Sequence, residues 1–221
     1  MASPELPSRT YRITKVPLGV STESIREWFT EAERRTIIYI SRALSPGNRD
    51  PPEYVFTITF DSQPSSLVDI TSTSGSHLAY KYLSGIAPSP REAPVIDAHF
   101  RGLTVFNNIT DEDNAVDIVG VTGLAGRPFG SWQYEDGSMW LRDYLPNDIP
   151  NVSVSVFGYS SKLVNSDSHA TLRNFSDDFL DRLATSREFR PELVSIQLIT
   201  GERRLRLLTK FSATTTDTRR P

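Results

Sequence analysis

Val116-Asp117-Ile118-Val119-Gly120-Val121-Thr122-Gly123-Leu124-Ala125-Gly126-Arg127-Pro128-Phe129-Gly130-Ser131-Trp132 is the stretch on which the reading of the fold turns. Its opening residues, Val116 to Val121, form a short run rich in β-branched side chains, the composition of a buried strand. Gly123 and Gly126 then let the backbone fold tightly over the strand's carboxyl end. Open α/β sheets place their ligands at that end, so a functional site is expected to begin there.

Downstream, Ser138 to Pro146 reads as a short helix that Pro146 ends, and Val152 to Phe157 as a strand in which valines alternate with serines. A further helix is expected from about Ser168 to Ala184, with Leu172, Phe175, Phe179 and Leu183 on its buried face. Strand, helix, strand, helix predicts a parallel sheet in which residues 116–121 and 152–157 are neighbours. Leu193 to Thr200 has strand-like composition and is the natural occupant of that sheet's next edge.

Upstream, Tyr11 to Pro17 reads as a strand with alternating faces. A helix follows, capped by Ser21 or Thr22, with Glu23 in its first turn and Ile25, Trp28, Phe29 and Ala32 along one face. Thr36 to Ala43 and Tyr54 to Phe60 are two more strands, joined across the turn-rich Ser45 to Pro52. A weak helix near Ser65 to Ile70 and a last strand near Ala79 to Leu83 complete a β-α-β-β module over residues 1–83. Residues 84–115 read as a proline-rich connection with a strand at Phe100 to Phe106, and residues 116–221 as a second unit. His99, alone in that connection, reads as a hydrogen-bonding or packing residue.

The chain has 221 residues, no cysteine and three histidines, at 77, 99 and 169. Disulfides, thiolate metal sites and cysteine catalysis are excluded, and neither a histidine-rich metal site nor a cofactor is called for. No apolar run approaches the roughly 20 residues of a membrane helix, and the polar start lacks the apolar core of a signal peptide, so a cytoplasmic protein is expected. Charge is uneven. Residues 106–186 hold 5 Lys/Arg against 12 Asp/Glu, and residues 187–221 hold 8 against 4. An acidic middle lacks the contiguous cationic face that nucleic acid requires. The basic tail suits a solvated end or peripheral contact with an anionic membrane surface.

The order of residues 10–83 resembles the RNA-recognition-motif, ferredoxin-like fold, most closely at Val16-Pro17 and the Ser21 to Phe29 helix. Such domains stack bases on aromatics of the first and third strands. Here the first-strand position is Arg12, no Lys/Arg-Gly precedes the third strand, and Tyr54, Phe56 and Phe60 share one parity, as core residues would.

The second unit resembles the fungal serine-esterase-like α/β-hydrolase family, related to serine active site-containing and lipase-like proteins. The resemblance lies in Val116 to Trp132, in Met139-Trp140-Leu141-Arg142-Asp143-Tyr144-Leu145-Pro146 and in Pro150 to Leu163. Some members also carry a region like residues 10–105, ending in a phrase similar to Asp97-Ala98-His99-Phe100-Arg101-Gly102-Leu103-Thr104. The resemblance implies a partial α/β-hydrolase sheet and an ester or lipid substrate, with mitochondrial or endoplasmic-reticulum association in some relatives. It also implies an oxyanion-hole-like turn at Gly123, Leu124 and Ala125, whose backbone N–H groups would serve as donors. The family's His-Gly-Leu-Gly-Gly-His is replaced here by Thr122-Gly123-Leu124-Ala125-Gly126-Arg127.

The family's Gly-His-Ser-Leu-Gly-Gly nucleophile elbow has no counterpart after Arg190-Pro191: Leu198 takes the serine position, and no G-x-S-x-G occurs in the chain. No residue is therefore assigned as catalytic, and Ser160 and Ser195 are the serines to examine first. Three functions remain open from sequence: a degenerate or partial hydrolase inactive by itself, a binding module for RNA or protein using residues 10–83, and an esterase with an unconventional serine.

Overall fold

The structure is a computed structural model that describes residues 9–46, 51–70, 80–83, 92–109, 116–122, 127–159, 172–187 and 195–200. These residues form a mixed α/β fold of two sheets with more strands than helices. In chain order the elements are β1 (Thr10–Pro17), α1 (Thr22–Arg26), α2 (Glu31–Arg34), β2 (Ile37–Leu44), β3 (Glu53–Phe60) and β4 (Tyr80–Tyr82). There follow β5 (Val95–Asp97), β6 (Gly102–Val105), β7 (Val116–Val121), α3 (Trp140–Asp143), α4 (Leu145–Asp148), β8 (Val152–Gly158), α5 (Leu172–Arg187) and β9 (Ser195–Thr200).

The first sheet has the order β2-β3-β1-β5-β4, with every pairing antiparallel. Alternation decides its core. Tyr11 and Ile13 from β1 and Phe56, Ile58 and Phe60 from β3 point to one face, where they pack with Ile25, Phe29, Leu67 and Ile96. A bulge at Lys15, whose φ is 59°, shifts the register so that Val16 returns to this face. Ser21 caps α1, its hydroxyl accepting from the Ser24 amide at 3.1 Å.

The expected single helix through Ala32 is instead two short ones. Thr30 starts α2 with a reciprocal capping box to Glu33, so the chain turns before Ala32, which is exposed, can join the face of Ile25 and Phe29. Residues 65–70 form only a 3-10 turn, Ser65–Leu67. Glu33 holds that turn in place. One carboxylate oxygen accepts from the Ser66 amide at 2.9 Å and the Ser65 hydroxyl at 3.3 Å, while the other accepts from the Thr30 amide and hydroxyl.

Residues 84–115, expected as a connection, contribute a strand to each sheet. β5 inserts between β1 and β4, and β6 opens the second sheet. That sheet has the order β6-β8-β7-β9. β6 runs antiparallel to β8, β7 and β8 are parallel with Val116 opposite Val152, and β9 is parallel to β7 with Val116 opposite Ser195. Helix-length segments between successive strands make parallel pairing the short route, as the sequence pattern implies.

One face of this sheet packs Ile118, Val154 and Val156 against Phe129, Trp132, Met139 and Leu141. The other packs Val119 and Phe157 against Leu183 and Phe179 of α5. Pro146 does not end a helix as expected. It lies in the first turn of α4, where a missing N–H costs nothing.

Burial by itself pushes the Glu33 carboxyl up, but the bonds from Ser66 and Thr30 outweigh it and bring its pKa from the ordinary 4.5 to about 2. The resulting stabilisation is complete above pH 4.5 and is lost as pH falls through about 2. Glu33→Gln should remove on the order of 2 kcal/mol at neutral pH and flatten the acid limb of the stability curve. Urea unfolding followed between pH 2 and 7 measures both effects.

Candidate functional site

The carboxyl end of β8 meets a turn from the first sheet, beside the strand ends where functional chemistry is expected. Asp97, the last residue of β5, starts that turn. Its Oδ1 accepts from the amides of His99 (3.2 Å) and Phe100 (3.0 Å), which holds Phe100 at φ 50° in the left-handed region. Asp97 Oδ2 accepts from Arg12 Nε at 3.0 Å and lies 2.9 Å from its terminal Nη2. Arg12 sits directly opposite Asp97 across the β1–β5 ladder, and both are buried, at 8% and 3% exposure.

The same guanidinium reaches the second sheet. Arg12 Nη1 donates to the Arg101 carbonyl at 2.8 Å and to the Thr104 hydroxyl at 2.9 Å. A planar fork can satisfy partners on both sides at once, which a lysine ammonium would do less specifically. Phe100 then stacks on Phe129 with ring centroids 4.9 Å apart, and Gly158, the last residue of β8, lies beneath the Phe100 carbonyl.

A second buried arginine closes the junction from the other side. Arg142 binds Asp143 through Nε (2.6 Å) and Nη2 (2.9 Å), and its Nη1 donates to the Thr59 hydroxyl on β3 at 2.8 Å. Its guanidinium lies over the rings of Tyr39, at 5.0 Å, and Phe129, at 5.3 Å. Gln133 donates to Thr10 at 2.8 Å, and Val105 packs on Ala43 and Val55. The face of the first sheet opposite α1 is therefore covered by the second unit, and Thr10, Arg12, Thr57 and Thr59 on it are all buried.

Gly123, Leu124 and Ala125 lie outside the described residues, as do Ser160, His77 and His169. The residues on either side of this segment are described. Thr122 is buried and its carbonyl accepts from the Tyr159 hydroxyl at 2.8 Å, tying the end of β7 to the end of β8. Burial pushes the Tyr159 phenol up from its ordinary value, partly offset by that hydrogen bond. On the far side of it, the Arg127 amide donates to the Ser131 hydroxyl at 3.1 Å.

Ser195 is at the wrong end of the sheet for a nucleophile. It begins β9 opposite Val116, so five residues, or roughly 16 Å, of strand separate it from the carboxyl edge. Leu198 lies mid-strand opposite Val119, and Thr200 is the β9 residue at the carboxyl edge, opposite Val121.

His99 packs within this turn, its Nδ1 3.3 Å from Asp97 Oδ1. The Arg101 amide also lies 3.3 Å from Nδ1, and burial, opposed by nearby Asp97, pushes the imidazole pKa down. Both contacts tie the ring to the turn. Among the described residues no group of three or more His, Asp or Glu is arranged to hold a metal ion.

The two buried arginines were not found as functional positions from sequence. Arg12 and Asp97 are 85 positions apart, and Arg142 and Thr59 are 83. Nothing local in the sequence marks either pair. No family model, curated protein or solved structure matches the chain.

The closeness of Gly158 to Phe100 gives a direct test of the corner. A Cβ at Gly158 would overlap the Phe100 carbonyl, a backbone atom already fixed by Asp97, and would come within 2.8 Å of Pro128. Gly158→Ala should destabilise by about 3 kcal/mol or more, whereas Gly19→Ala, where nothing lies within 4 Å and only a φ of 93° is strained, should cost about 1 kcal/mol. Urea midpoints of the two variants give the comparison.

Proposed function

We propose that this chain is a degenerate or partial member of the serine-esterase-like α/β-hydrolases, a folded unit that does not itself hydrolyse esters. The observation that carries the reading is the second sheet. Its three parallel strands bring their carboxyl ends, at Val121, Phe157–Gly158 and Thr200, to one edge. In hydrolases of this kind that edge displays the serine elbow, and a loop after an earlier strand supplies the second oxyanion donor. Here the turn after β7 offers the glycines of such a loop, while Thr200 is followed by Gly201-Glu202-Arg203-Arg204 and no serine elbow.

A serine hydroxyl without a base in reach stays unreactive, and oxyanion donors alone supply only a remnant of the rate. The resemblance assigns the turn at Gly123, Leu124 and Ala125 to binding of a carbonyl or other anionic oxygen, with an ester or lipid as the related ligand class. The covered face of the first sheet favours this reading over RNA recognition. Phe56 and Phe60 lie in the core, and the face carrying Arg12, Thr57 and Thr59 is packed against the second unit, so bases find no aromatic platform there.

Purified protein incubated with short-chain and long-chain nitrophenyl esters should release product no faster than buffer. Turnover that a serine-directed inhibitor blocks and that Ser160→Ala abolishes would overturn the proposal in favour of an active esterase.

A further inference from the structure

His99 Nδ1 stands between two groups that make opposite demands of it. The Arg101 amide, 3.3 Å away, is a donor, and Asp97 Oδ1, also at 3.3 Å, is an acceptor. A ring nitrogen without a proton can serve only the first, and one with a proton only the second. Both contacts lie in the turn that joins the sheets. The Arg101 amide belongs to the peptide unit whose other end, the Phe100 carbonyl, lies over Gly158, and the Arg101 carbonyl accepts from Arg12 at 2.8 Å. The ring is largely enclosed, but 13% of its side chain is exposed, which gives a proton access from water.

We propose that His99 is a proton switch on the joint between the two sheets. Unprotonated, Nδ1 accepts from the Arg101 amide and fixes the Phe100–Arg101 peptide over the end of β8. When a proton from water binds Nδ1, the new N–H donates to Asp97 Oδ1 in a charge-assisted bond, and the Arg101 amide loses its acceptor. The peptide is then held only by its neighbours on either side, and its contact with Gly158 loosens. The charges that face the ring are Asp97 and Arg101 from its own turn and Arg12 from β1; from α5, Arg182 lies against Gly102, paired with Asp178. Burial disfavours the charged ring, Asp97 favours it, and Arg12 and Arg101 oppose it, with a net lowering of its pKa from the ordinary 6.5. The unfolded chain therefore takes up the proton first. Stability tied to the neutral ring is complete above pH 6.5 and is lost as the pH falls below it. The proposal does not depend on the ester reading.

Ring and amide nitrogen NMR of the whole chain between pH 8 and 5 reads both positions of the switch. At pH 8 the ring is expected as the Nε2–H tautomer, with Nδ1 bare. As the pH falls, the ring should titrate with a midpoint below 6.5, and the amide shifts of Arg101 and Gly158 should follow the same midpoint. Exchange of the Arg101 amide, corrected for the intrinsic effect of pH, should speed up about tenfold, the loss of one ordinary hydrogen bond. His99→Asn separates the bond from the proton. A side-chain amide oxygen can accept from the backbone two residues on but does not titrate, so both amides should then keep their high-pH shifts. An Nδ1–H tautomer at pH 8, a ring that stays neutral to pH 5, or a titration that leaves the Arg101 amide unmoved overturns the proposal. The same midpoint persisting at Arg101 in His99→Asn would trace the change to another group and overturn it equally.

Discussion

The carboxylate of Asp97 holds two backbone amides of its own turn with one oxygen and the Arg12 guanidinium with the other, and through Arg12 it joins the two sheets. Taking both charges out of water is costly, and their attraction offsets the cost only because nearly every donor and acceptor is satisfied. The arrangement is consequently intolerant of partial removal. Losing one partner strands a buried charge, an effect on the order of 3–5 kcal/mol, and also frees the Phe100 turn that lies over Gly158. The pair thus contributes to geometry more than to raw stability, since apolar residues could fill the same space without fixing the angle between sheets.

From that lock the rest of the corner follows. With Phe100 held in the left-handed region, its ring meets Phe129, and Phe129 lies beneath Arg142, whose remaining donor reaches Thr59 on β3. The two arginines stand on the same covered face of the first sheet and bind its polar residues to the second unit. An N-terminal module that in isolation would show one wet face is in this chain buried on both, as the run from Val55 to Phe60 in β3 shows. The carboxyl end of β8 is then framed by a fixed turn, with the Phe100 carbonyl over Gly158.

Sequence made the second sheet legible because its strands are dense in β-branched residues and their links are long enough for helices. The Ser21 cap was equally readable, since a hydroxyl ahead of an apolar periodic segment has few other uses. The break before α2 followed a signal present in the text, Thr30 with Glu33 three residues on, which competed with the apolar spacing of Ala32 and won because a capping box satisfies two amides at once. Pro146 looks like a stop in sequence because a proline inside a helix breaks it, whereas in a first turn it is tolerated. β5 escaped because three residues among prolines carry too little pattern, and the covered face escaped because Thr57 and Thr59 alternate as solvent-facing residues do. Their partners, Ser41, Arg142 and Thr10, lie elsewhere in the chain.

The central claim is that the two sheets are one cooperative body joined through Arg12 and Asp97. Residue-resolved native-state hydrogen exchange tests it most directly, with the amides of Tyr11 and Ile58 reporting the first sheet and those of Val154 and Val156 the second. The account predicts one common opening free energy for both sets, lowered by the same amount in Asp97→Asn. Two distinct opening free energies in the wild type, with Asp97→Asn lowering only that of the first sheet, would contradict it.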